Sequence, residues 1–285
     1  MADFSRIGVI GAGLMGSGVA EVCALAGMDT IVIEASPEAA EAGMARIDKS
    51  LARGMKAGKR TEGDVEAARA RIQMDNDLAA LHDCDLVVEA IVENEAAKVG
   101  LFSELSDIVV SPDAVLASNT SSIPIMKLAM ATDRPENVVG IHFFNPVPVL
   151  PLVELVTSLH TSKTTKARAE HFAQQQLDKR VIVSQDRAGF IVNALLIPYL
   201  LSAIRMYESG FASKEDIDDG MVAGCAHPMG PLRLTDLIGL DTTMAVAESL
   251  YTEFKEQLYA PPPLLARMCE AGLLGRKTGR GFYSY

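Results

Sequence analysis

The sequence predicts an α/β protein, a Rossmann-type doubly wound sheet in the N-terminal part followed by an all-α C-terminal domain. Three observations predict it. Short runs that are apolar on both sides of the pleat alternate with helical stretches through the first half, as strands covered by helices on both faces should. A glycine-rich turn, Gly11-Ala12-Gly13-Leu14-Met15-Gly16, joins the first such run to the first helical stretch. Strand signals then fade after Val181-Ile182-Val183, and the remainder reads as long helices, a Pro261-Pro262-Pro263 break and a glycine-rich tail. The boundary falls at 185/186, giving a sheet domain over 1–185 and a helical domain over 186–285.

In chain order, residues 6–10 form the first strand and residues 15–26 the first helix, which Gly27 ends. Residues 30–34 are the second strand. A long Ala-rich helical region leads to strands at 85–89, 114–118 and 138–142, and to an apolar strand around 151–156 with Glu154 inside it. The stretch 186–206 is too apolar for a lone surface helix, and Pro198 should kink it. Such a helix must pack against a domain or a second subunit.

Composition excludes several classes. The 285 residues carry 26 Lys and Arg against 37 Asp and Glu, a net charge of −11, which denies a nucleic acid its basic footprint. The longest uncharged run, 188–204, only touches the lower limit for a membrane span and contains Asn193, Pro198 and Ser202, so it reads as a buried helix. No targeting leader is read in the first residues. The four cysteines lack zinc spacing, so no metal is expected. A cytoplasmic protein without membrane or nucleic-acid partners is the expectation.

The glycine-rich turn has a specific physical purpose. Gly11 permits the tight turn, Gly13 lets a pyrophosphate approach the backbone, and Gly16 lets helix and strand pack closely. Glu34 ends the second strand 18 positions beyond Gly16. A carboxylate there bonds ribose hydroxyls and repels a 2′-phosphate, so the cofactor reads as NAD in preference to NADP. Leu14 and Met15 complete the cofactor turn.

Residues 44–60 hold a basic stripe. Arg46, Lys49, Arg53, Lys56 and Arg60 follow at helical spacing, and the segment carries +5 while the rest of the chain carries −16. A solvated helix face and an anion site for a phosphorylated substrate handle both fit that pattern.

His142 closes an apolar strand, at the sheet edge where open α/β sheets hold ligands. Twelve positions on, Glu154 is a carboxylate in an apolar run, costly there unless paired. A His with a buried Glu suits a dehydrogenase: the imidazole takes the hydroxyl proton while the carboxylate fixes its tautomer. A satisfied structural His fits the spacing about equally well. Ser118-Asn119-Thr120-Ser121-Ser122 follows another strand at the same edge, and Asn193 sits early in an apolar helix and wants a partner.

These residues resemble the 3-hydroxyacyl-CoA dehydrogenase family, and most closely its short bacterial type. The resemblance covers essentially the whole chain through GAGLMGSGVA, VVEAIVEN, ASNTSS, GIHFFNPVPV, GFIVN, HPMGPLRLTDLIGLD and GRKTGRGFY. It implies reversible NAD-linked oxidation of an (S)-3-hydroxyacyl-CoA, with short chains such as 3-hydroxybutyryl-CoA expected, and a homodimer built by the helical domain. It implies that His142 is the base, Glu154 its partner, Ser121 a substrate contact and Asn193 a support of the site. Glu34, Glu93, Lys98, Asn119, Asn145 and Lys277 fall on positions expected to meet the cofactor, and Ser50 and Lys56 on the segment expected to meet CoA. The chain departs from the family's common pattern at Ala188, Ala194 and Arg233. The nearest rivals are a dehydrogenase of free 3-hydroxy acids, which gives no reason for the basic stripe, and a redox-silent dinucleotide-binding protein, which gives none for a buried His–Glu pair.

Overall fold

The structure, a computed structural model, describes residues 3–285. Among them, β1 (Arg6–Ile10), β2 (Asp29–Ile33), β3 (Ile72–Asp75), β4 (Leu86–Glu89), β5 (Val115–Ser118), β6 (Val138–Phe143), β7 (Leu152–Thr157) and β8 (Arg180–Gln185) form one sheet in the order β3-β2-β1-β4-β5-β6-β7-β8. The pairings from β3 through β6 are parallel. β7 turns back, pairing antiparallel with β6, and β8 runs parallel with it. Every residue of β4, β5 and β6 is buried, which requires cover on both faces.

That cover comes from α1 (Leu14–Leu25), α2 (Pro37–Lys56), α3 (Glu62–Ala70), α4 (Glu95–Ile108), α5 (Ile125–Ala129) and α6 (Lys163–His171). Local sequence sets their starts. Ser36 caps α2, Thr61 and Asp64 form a reciprocal box at α3, Asn94 caps α4 and Ser162 caps α6. The α5 amides of Ile125 and Met126 donate instead to the distant Asp186 carboxylate, at 2.8 and 2.7 Å.

The chain divides into two compact units, the first ending at Arg187 and the second running from Ala188 to Tyr285. The second contains α7 (Val192–Glu208), α8 (Lys214–Cys225), α9 (Pro231–Ile238), α10 (Leu240–Phe254) and α11 (Pro263–Glu270). Two buried carboxylates organise it. Asp218 accepts the Leu232 and Arg233 amides at the start of α9, and Asp236 accepts the Phe282 and Tyr283 amides of the C-terminal tail. Arg233 lays its guanidinium 3.9 Å from the Tyr283 ring centroid, which gives the departure at that position a local partner.

Three elements differ from the sequence reading. The helix expected across the basic stripe stops at Lys56, and Gly58 in left-handed conformation (φ 69°) turns the chain, so Arg60 lies beyond it. The strand β3 was absorbed into the Ala-rich helical region, because Ile72-Gln73-Met74-Asp75 is too short and too polar to show a strand period. The apolar helix begins only at Val192, since Gly189 and Phe190 both adopt positive φ.

Candidate active site

The glycine turn connects β1 to α1 as its composition requires. Gly11 has φ 91°, and a Cβ on it would stand 2.7 Å from the Ala90 carbonyl. A Cβ on Gly16 would overlap the Gly11 carbonyl oxygen at 1.7 Å. Around Gly13, by contrast, a Cβ would meet nothing within 4 Å. Gly13 is also the N-cap of α1 and offers no side-chain acceptor, so the first amides of the helix face outward unclaimed by a capping side chain. Leu14 is largely exposed beside them, and Met15 packs its side chain onto the core. At the end of β2, Glu34 accepts the Ala12 amide, which places its carboxylate against the same turn. An open glycine, uncapped helix amides and an acidic β2 terminus fit the pyrophosphate and ribose of a dinucleotide.

The neighbouring strand ends share one edge of the sheet. Ala90 donates to the Ile10 carbonyl and Asn119 to that of Glu89, each at 2.8 Å. The Asn119 side chain then accepts the Phe143 amide at 2.9 Å, tying the loop after β5 to the residue beside His142. Beneath this edge lies a buried ionic network. Lys98, 1% exposed, places its ammonium 2.6 Å from Glu89 and 3.0 Å from Glu93. Glu89 also accepts Ser118 Oγ at 2.6 Å and the Ile91 amide at 2.8 Å. Glu93 accepts the Ser121 and Ser122 amides at 3.0 and 3.1 Å and the Ser122 hydroxyl at 2.8 Å. Burial pushes the Glu93 carboxyl up, but Lys98 and the Thr120 and Ser122 hydroxyls outweigh it and hold the group below the usual carboxylate range.

His142 and Glu154 are register partners across the antiparallel β6–β7 pair. Their side chains therefore stand on the same face, and His142 Nδ1 lies 2.8 Å from Glu154 Oε2. Glu154 is fully buried and His142 nearly so, so the pair is a desolvated one. Phe144 leans on the imidazole with ring centroids 4.6 Å apart.

Beyond the turn that follows β6, two adjoining clefts of about 280 and 220 Å³ open between α1, α2 and residues 145–149. Arg53 and Ser50 line both clefts. Arg46, Lys49 and Asn145 line one, and Lys59 and Arg60 the other. Arg60 thus joins the basic wall from outside the helix, whereas Lys56 is exposed at the end of α2 and lines neither cleft.

The first unit therefore gathers the glycine turn, Glu34, Glu93, Lys98, Asn119, Ser121, His142 and Glu154 along one sheet edge, with Ser50 and Asn145 on the adjoining clefts. Asn193 and Lys277 belong to the second unit. Asn193 opens α7, and Lys277 pairs with both oxygens of Asp241. The sequence reading missed Glu89 and Glu21. Glu89 carries a signal related to the one that marked Glu154, a carboxylate in an apolar strand, here at its end. Among the described residues no group of three or more His, Cys, Asp or Glu could hold a metal ion, and no helix is long and apolar enough to cross a membrane.

The fold and edge define a dinucleotide-binding domain joined to a helical domain, the organisation of a class of NAD-dependent dehydrogenases. The family model of the 3-hydroxyacyl-CoA dehydrogenase NAD binding domain matches residues 6–187, and that of the 3-hydroxyacyl-CoA dehydrogenase C-terminal domain matches residues 189–285. The chain is 58% identical to a 3-hydroxybutyryl-CoA dehydrogenase of Mycobacterium tuberculosis, over all of both chains. The crystal structure of FadB2 from the same organism superposes with a TM-score of 0.98 at 57% identity, covering 100% of each chain. An (S)-3-hydroxybutyryl-CoA dehydrogenase of Ralstonia eutropha superposes with a TM-score of 0.93 at 45% identity, covering 99% of each. The chain belongs to the 3-hydroxyacyl-CoA dehydrogenase family and is an NAD-dependent oxidoreductase acting on CH–OH groups.

Proposed function

We propose that the protein oxidises a short-chain (S)-3-hydroxyacyl-CoA, 3-hydroxybutyryl-CoA foremost, to the 3-ketoacyl-CoA, with His142 as general base. The observation that carries this reading is the buried His142–Glu154 pair at 2.8 Å on the sheet edge that also bears the dinucleotide turn. Bound NAD supplies the ring that accepts hydride from the carbinol carbon. As that hydride leaves, His142 Nε2 takes the hydroxyl proton, and Glu154 stabilises the imidazolium through Nδ1. In the reverse direction the imidazolium returns the proton to the ketone oxygen. Ser121, held by Glu93 through its amide at 3.0 Å and its hydroxyl at 3.5 Å, lies in the loop that Asn119 fastens to β6, and is read as a contact to the reacting oxygen.

The CoA portion is assigned to the basic clefts, where Arg46, Lys49, Arg53 and Arg60 offer charge to scattered phosphates. The short-chain preference rests on the names of the relatives quoted above. The helical unit exposes Leu195 near the start of α7 and Phe211 beyond its end, 73% and 78% accessible, and each is read as a contact for a second copy of the chain. Sedimentation as a dimer at micromolar concentration is the expected result, and a monomer would remove that assignment. The substrate assignment is tested by comparing acetoacetyl-CoA with free acetoacetate at matched concentration in an NADH-oxidation assay. Rapid turnover of the thioester alone is expected. Equal turnover of both would favour a free 3-hydroxy acid as substrate.

A further inference from the structure

Glu21 sits on the third turn of α1, a helix otherwise dominated by apolar and small residues, and is only 4% exposed. It lines both basic clefts. Its Oε2 is buried and has no hydrogen-bond partner, a costly condition for a carboxylate. Burial pushes the Glu21 carboxyl up, against the opposing pull of Ser50, Arg53 and Arg60. The structure of the protein alone therefore leaves an acceptor unsatisfied inside the cleft that the preceding reading assigns to CoA.

We infer that Glu21 is a substrate-binding and specificity residue whose inward oxygen accepts a hydrogen bond from an amide N–H or hydroxyl of the pantetheine arm of a CoA thioester. The inference rests on the acyl-CoA reading. Charge decides which part of the ligand faces Glu21. Phosphates belong with Arg53, Arg60 and Lys49, and a carboxylate repels them. The uncharged segment next to the phosphates on the acyl side is the pantetheine arm, which carries two amide donors and a hydroxyl. Position agrees with charge. Glu21 lies on α1 rather than on the cationic helix, and shares both clefts with Pro146, which lies four residues beyond His142.

The experiment measures dissociation constants by calorimetry for CoA and for adenosine 3′,5′-bisphosphate, which has phosphates but no arm. Wild type, Glu21→Leu and Glu21→Gln are compared, with NADH affinity as the check of folding. Glu21→Leu is expected to weaken CoA about tenfold, the scale of a lost hydrogen bond to a charged group, and to leave the bisphosphate no weaker. Glu21→Gln, which keeps a neutral acceptor, should recover part of the loss and carries the test if the Leu variant does not fold. Unchanged CoA affinity, or equal weakening of both ligands, would overturn the inference. Tightening of both would do the same, since it would make Glu21 a repulsive charge only. A wild type that binds neither CoA nor acetoacetyl-CoA would instead remove the substrate reading itself.

Discussion

His142 and Lys98 show how the same residue chemistry serves two purposes at one sheet edge. The His142–Glu154 pair spans facing strands, with Nδ1 2.8 Å from the carboxylate. Lys98 holds its ammonium between Glu89 and Glu93, and Glu93 in turn holds the loop that carries Ser121. Replacing Lys98 by Met should cost about 3–5 kcal/mol, because it leaves the fully buried Glu89 without its counter-charge. Pairing that change with Glu89→Gln should restore much of the loss. Chemical denaturation of the single and double variants measures both, and an additive double variant would deny the coupling. Glu93 adds a pH limb. Its folded carboxyl titrates below its ordinary range, so its stabilisation is full above that range and fades as pH falls through the lowered value. Residue identity made Glu154 legible in the sequence, as an acid inside an apolar strand. Glu89 was equally visible and was overlooked. Lys98 was not legible as a buried cation, because a lysine at a helix start normally faces water.

At the scale of elements, the glycine turn and first helix were readable because steric need fixes Gly11 and Gly16 at a set offset, with the open Gly13 between them. Gly16→Ala tests that reading. Its methyl would collide with the Gly11 carbonyl oxygen, a backbone atom that cannot move without deforming the turn. NADH affinity should fall by about tenfold or more and thermal stability should drop with it, as for other overpacked contacts. Normal NADH titration in a well-folded Gly16→Ala protein would contradict the assigned packing. Other boundaries were not legible. The stripe from Arg46 to Arg60 keeps helical spacing past the point where Gly58 turns the chain, since charge spacing carries no information about φ. The strand β3 is recognised only through its pairing with β2, a non-local contact that four residues of mixed polarity cannot announce.

At the scale of the molecule, two units divide the work. The sheet unit carries the dinucleotide turn, the His–Glu pair and the basic clefts, and Asp218 and Asp236 lock the helical unit and its tail. The net charge of −11 hides a local cationic wall facing a cleft. Family and cofactor were legible because their motifs are backbone requirements. The order of the sheet beyond β6, where the reversal of β7 sets Glu154 opposite His142, was not, because register is a property of two strands together. That reversal is what brings two residues twelve positions apart into one buried, hydrogen-bonded pair. The most direct test of it is the rate of NADH oxidation by acetoacetyl-CoA in the His142→Ala variant, measured beside NADH affinity. A loss of about 10²- to 10⁴-fold in turnover with NADH binding unchanged is predicted. Turnover at the wild-type rate would contradict the assignment of His142 as the base.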